Sequence, residues 1–97
     1  MNHEDAVTRL NNQIDHIDTL ESKTPYSHEF AKWHGDTENL IDEIFDDETR
    51  YIDDFKAIYF TPLFLSCTTD ESAFREAYRG GLEEARNFLL FLVEELE

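Results

Sequence analysis

The residues with the greatest capacity for chemistry are four histidines, one cysteine and 23 carboxylates. His28, Glu29, His34 and Glu38 lie close together, and imidazole with carboxylate is a donor set that zinc and iron accept. Their spacing does not assemble one. On a helix the pair His28 and His34 diverges by about 120°, and the pair that shares a face, His34 with Glu38, supplies too few ligands. Cys67, the single cysteine, rules out a disulfide framework and any multi-cysteine zinc site. It adjoins an apolar run with no Gly-rich elbow or Cys/His signature, and so reads as a core or boundary residue. Arg79-Gly80-Gly81 has the look of a phosphate loop, but no strand precedes it and neither the Walker nor the dinucleotide pattern is complete. Glu83-Glu84 and Glu94-Glu95 read as solvated face, because hydrolysis by paired carboxylates needs a cleft. The expectation is a non-enzymatic protein without catalytic residues, metal ligands or cofactor.

Twenty-three Asp and Glu against eight Lys and Arg leave a formal charge of −15 on 97 residues. Such a surface repels nucleic acid and anionic membranes, which are bound by neutralising phosphates with Lys and Arg. Acidic residues run from Glu4 and Asp5 to Glu94, Glu95 and Glu97, while lysine is confined to Lys23, Lys32 and Lys56. This even spread is expected of a surface adapted to concentrated salt. The alternative is an acidic inhibitor that imitates nucleic acid in the basic groove of a nuclease or repressor. Forty per cent hydrophobic residues suffice for a core, so the charge does not imply disorder. The longest apolar stretch, Phe88 to Val93, is six residues against about 20 for a membrane span. The acidic N-terminus is also unlike a secretory signal. A single cytoplasmic domain is expected.

The elements that must position these residues are helical. Ala6, Val7, Leu10, Ile14, Ile17 and Leu20 follow the three-four step of an amphipathic helix over about 3–22. Pro25 suits a first helical turn after Thr24. From it, Tyr26, Phe30, Trp33, Thr37, Leu40, Ile41, Ile44 and Phe45 fall on one arc, which predicts a helix over about 26–45. Gly35 inside it implies a bend or a close contact. Asp46 or Asp47 offers an N-cap for a short helix over 47–57, carrying Tyr51, Ile52, Phe55 and Ile58. Pro62 then keeps the apolar segment Ala57–Cys67 from being a helix or central strand, and predicts a buried extended crossing. Thr68 and Glu71 have capping-box spacing before a helix over 70–96. Along it Phe74, Tyr78, Leu82, Ala85, Leu89, Leu92 and Leu96 share a face, with Gly81 permitting a close helix contact and Gly80 exposed or bending. The fold expected is all-α: a bundle of three longer helices and one short one.

In the last helix two large residues, Leu90 and Phe91, fall among Glu83, Glu84, Asn87 and Glu94 on the polar side. They mark a surface for self-association or for a protein partner, with Phe88 beside them, unless a neighbouring helix or the Ile58–Leu65 segment covers them. The stripe of the first helix, at Leu10, Ile14 and Ile17, is a second candidate surface.

The spaced set Phe30-x-x-Trp33, Thr37, Leu40, Ile44-Phe45, then Phe55 to Pro62, then Phe74-Arg-Glu-Ala-Tyr78-x-x-Gly81-Leu82-x-x-Ala85 resembles a small helical domain of bacterial and archaeal proteins. It covers about residues 27–96. In the similar proteins the domain stands alone or precedes an effector, notably a Toll/interleukin-receptor-like nucleotide-binding domain, in chains associated with anti-phage defence. The resemblance implies an accessory, regulatory or oligomerising role. Asp46 stands here in place of the expected Gly, and Thr61 in place of the usual Ser. No effector accompanies the domain in these residues, so no catalytic residue is carried over.

Overall fold

The computed structural model describes residues 2–62 and 70–97, among which four α-helices and no strand are found. They are α1 (His3–Leu20), α2 (His28–Ile44), α3 (Thr49–Lys56) and α4 (Glu71–Leu96). The protein is therefore all-α. Three helix starts carry the side-chain acceptor that the first orphan N–H groups need. Asn2 Oδ1 accepts from Asp5 N at 2.8 Å, Ser27 Oγ from Phe30 N at 3.1 Å, and Asp70 Oδ1 from Ala73 N at 3.0 Å.

These caps move several expected boundaries. Ser27, not Thr24, caps α2, so Pro25 sits in a turn, and Tyr26, expected on the core arc, lies before the helix with 77% of its surface exposed. The N-cap of α3 is Glu48, with no side-chain cap bond, rather than Asp46 or Asp47. Asp70 caps α4 in place of the expected Thr68–Glu71 box. Thr68, like Cys67, lies outside the described residues.

Helix α1 packs chiefly on α4 and also on α2. Its stripe of Ala6, Leu10, Ile14, Ile17 and Leu20 is buried, as are Leu82, Ala85, Leu89, Leu92 and Val93 of α4. At about 25 cal/mol per Å² of apolar surface, each such Leu or Ile contributes roughly 1.5–3 kcal/mol. The Tyr78 hydroxyl donates to Leu20 O at 2.7 Å, and Arg86 pairs with Asp18 and, at 3.9 Å, with Glu21. These contacts seat the C-terminal end of α1 against the middle of α4, so the two helices run antiparallel. They also bring a cation to a helix end that has no basic residue of its own in the last turn, where the helix dipole favours one.

A hydrogen-bonded seam joins α1 to α2. Gln13 Nε2 donates to Thr37 Oγ1 at 2.7 Å, Trp33 Nε1 donates to Gln13 O at 3.0 Å, and Thr37 Oγ1 donates to Trp33 O at 2.7 Å. Thr37 is fully buried, and each of its polar needs is met within this seam, as burial requires.

Around Trp33 the core is aromatic. Phe60 meets Phe30 at 4.8 Å and Trp33 at 6.5 Å between centroids, and Phe30 meets Tyr78 at 5.5 Å, all edge-on. Phe60 reaches this cluster from the connection after α3, and Gly81 is what lets it in. A Cβ at Gly81 would lie 2.5 Å from Tyr59 O and 2.6 Å from Phe60 Cδ1. The close contact expected at Gly81 thus exists, but with the crossing chain rather than with a helix. Nothing lies within 4 Å of a Cβ built at Gly35 or Gly80, so the contact expected at Gly35 is absent. Of the other residues expected in the core, Ile44 and Ile58 are partly buried and pack against it, while Phe74 is half-buried outside it.

Candidate interaction surface

The C-terminal third of α4 carries the apolar residues that the sequence singles out. Leu90 is 43% exposed and Phe91 42%, whereas Leu89, Leu92 and Val93 between and beyond them are buried. The reason is helical phase. Leu89 and Leu92 point to α1, and successive positions on a continuous helix differ by about 100°.

The same phase separates Leu90 from Phe91. Adjacent residues of one helix cannot share a face, and Asn87 and Glu94, both exposed, lie at angles between them. Phe91 stands on the α3 side. Its ring meets Tyr51 edge-on at 6.1 Å and Phe88 at 6.3 Å, and Phe88 stacks on Phe55 at 6.4 Å. Tyr51 is held between Phe45, at 4.8 Å, and the Arg50 guanidinium, 5.1 Å over its ring. Phe88, Phe91 and the edge of Tyr51 therefore make one aromatic patch, and Leu90 stands apart from it.

The expectation of a second surface on α1 is corrected by the packing. Leu10, Ile14 and Ile17 are inside the core, against α4. A stripe of this hydrophobicity must be covered, and the long partner helix within the chain covers it.

His34 and Glu38 do come together, with Nδ1 to Oε1 at 3.3 Å. The imidazole sits among rings, 4.9 Å from Phe55, 5.6 Å from Phe60 and 5.7 Å from Phe30. Burial lowers its pKa below the ordinary value, and the Glu38 carboxylate offsets part of this. Among the described residues, no group of three or more His, Cys, Asp or Glu side chains is placed to hold a metal ion. Nor is any helix of the described residues long and apolar enough to cross a membrane.

Two parts of the site escape a reading of the sequence. Tyr51 reads there as a core residue of α3, and its place beside Phe91 depends on how α3 meets α4. Arg50 adjoins Tyr51 in the chain, but the placement of its guanidinium over that ring is seen only in the structure. Compared with known proteins, the chain matches no family model, no curated protein and no solved structure.

Proposed function

We propose that this chain is a non-enzymatic interaction module of a salt-adapted cytoplasm, which self-associates through the C-terminal half of α4. The observation that carries the proposal is the exposure of Leu90 and Phe91 on a chain of net charge −15. On so acidic a surface, large apolar side chains beside carboxylates are costly to leave in water and are best accounted for as contacts. Phe91, with Phe88 and Tyr51, supplies the aromatic anchor of the kind that dominates interfaces. Leu90 supplies a lesser contact on the other flank. In this reading the three longer helices and short α3 form one bundle, crossed at Phe60 by the chain after α3; of the buried crossing expected over Ala57–Cys67, Tyr59 is exposed and residues 63–67 lie outside the described residues. The burial of Phe60 beside Gly81 supports that course. The resemblance to helical domains of anti-phage defence proteins adds an accessory or regulatory role to the proposal.

Concentrated salt strengthens apolar association and screens the repulsion between acidic copies. The test is light-scattering mass after size exclusion in 0.1 M and 2 M KCl, with circular dichroism on each peak. A helical dimer or larger species at 2 M KCl is expected, with Phe91→Glu returning it to monomer at unchanged helicity and Leu90→Glu weakening it. A folded monomer at both salts would overturn self-association.

A further inference from the structure

Helix α1 ends at Leu20, but α4 extends past that end to Glu71. The N-terminal turns of α4 therefore project beyond their partner, and among the described residues the chain leading into α2 lies beside them. Between them is a cavity of about 530 Å³, within the range of roughly 300–1,000 Å³ typical of small-molecule sites. Phe74 shows how it arises. Its phase places it in line with Tyr78 and Leu82, which are buried, yet Phe74 is half-buried and lines the cavity instead of joining the core. Pro25 and Tyr26 form the facing wall, which gives a role to a large side chain that the turn before α2 leaves exposed.

The charge of the lining is opposite to that of the molecule. Lys23, Arg75 and Arg79 line this one cavity, three of only eight Lys and Arg in a chain of net charge −15. Glu21 and Glu71 are the carboxylates of the lining, so cations are in the majority here and in a minority of about one to four elsewhere on the chain. Among the described residues the ion pairs involve Lys32, His34, Arg50 and Arg86, and none uses Lys23, Arg75 or Arg79. Arg75 and Arg79 are one turn apart on the same face of α4, where two guanidinium groups can converge on one anionic head. The Tyr78 hydroxyl is already committed to Leu20 O, leaving its ring as apolar wall.

We propose that this cavity binds a small organic anion, with a carboxylate, sulfonate or phosphate head at Arg75, Arg79 and Lys23 and an apolar ring or short acyl body against Phe74, Pro25 and Tyr26. The site lies at the opposite end of α4 from Phe91 and does not depend on self-association.

The probe is 1-anilinonaphthalene-8-sulfonate, titrated in 0.2 M KCl by fluorescence and by amide chemical shifts. Saturable binding at one site is expected, with shifts concentrated in residues 21–26 and 71–79. The double variant Arg75→Gln/Arg79→Gln and the uncharged analogue N-phenyl-1-naphthylamine should each bind at least about tenfold more weakly, the loss expected of charge-assisted hydrogen bonds. Phe91→Glu should bind as the parent does. Should circular dichroism show the double variant unfolded, Lys23→Gln carries the same test with a loss of about threefold. Absence of saturable binding, equal affinity for the neutral analogue, or shifts centred on Phe88–Phe91 would overturn the proposal.

Discussion

Two adjacent glycines show how far a single residue's role depends on its surroundings. Both lie inside α4, where replacing Gly by Ala favours a helix by roughly 0.5–1 kcal/mol. A Cβ at Gly80 meets nothing within 4 Å, whereas one at Gly81 meets the backbone oxygen of Tyr59 at 2.5 Å. Gly80→Ala should therefore raise the thermal midpoint by a few degrees. Gly81→Ala should lower stability by about 1–3 kcal/mol, because the crossing chain and Phe60 must shift. Equal effects in thermal unfolding would show that Phe60 does not cross there. Two titrating groups give opposite pH signatures. Burial raises the Tyr78 phenol from 10.0 to about 12, so its contribution is full below pH 10 and is lost as pH rises through about 12. His34 is lowered from 6.5, so its contribution is full above pH 6.5 and is lost as pH falls through the lowered value. Tyr78→Phe should flatten the alkaline limb of stability against pH, and His34→Gln the limb below pH 6.5. An unchanged slope in either variant would contradict the burial assigned to that group.

At the scale of the element, the starts of α1, α2 and α4 are set by short polar side chains and the α1–α2 pairing by one buried seam. Ser27→Ala removes the acceptor for Phe30 N and should cost about 1 kcal/mol. Thr37→Val keeps the shape of the side chain but leaves Gln13 without its 2.7 Å partner, which should cost about 1–3 kcal/mol. Urea unfolding reads both, and the seam predicts that Gln13→Leu combined with Thr37→Val is less damaging than the sum of the two alone. Strict additivity would mean that the two side chains act independently. The aromatic patch belongs to this scale as well, since Phe91 meets Tyr51 only because short α3, packed on α2, brings that ring to the end of α4.

For the whole molecule, the governing quantity is charge. The Debye length falls from about 10 Å at 0.1 M salt to about 3 Å at 1 M, so repulsion between carboxylates on different helices is largely removed at high salt. The C-terminal end of α4 gains most, because Glu94, Glu95 and Glu97 crowd a helix end whose dipole disfavours them. The thermal midpoint should rise by at least about 5 °C between 0.1 M and 2 M KCl, equivalent to about 1 kcal/mol in a domain of this size. A flat or falling midpoint would remove salt adaptation as the reason for the acidity. Ligand binding adds a separate contribution, since an anion held at Arg75 and Arg79 stabilises the fold according to its free concentration and dissociation constant.

The sequence by itself determined the all-α class, the stripe of α1, the buried face of α4 from Tyr78 onward, and the exposure of Leu90 and Phe91. Each follows from helical periodicity, a local property that any window of the chain displays. Tertiary structure decided what those faces meet. Leu10, Ile14 and Ile17 look alike whether they are covered by a second copy or by α4, and only the packing assigns them to the core. Phe74 and Tyr26 carry core-like phase, but the end of α1 at Leu20 and the cap at Ser27 leave them lining a cavity. Gly81, Gln13, Thr37 and the cations of that cavity acquire their roles from partners as many as 56 residues away in the chain, as Lys23 is from Arg79, and residue spacing along one helix holds no record of such distances.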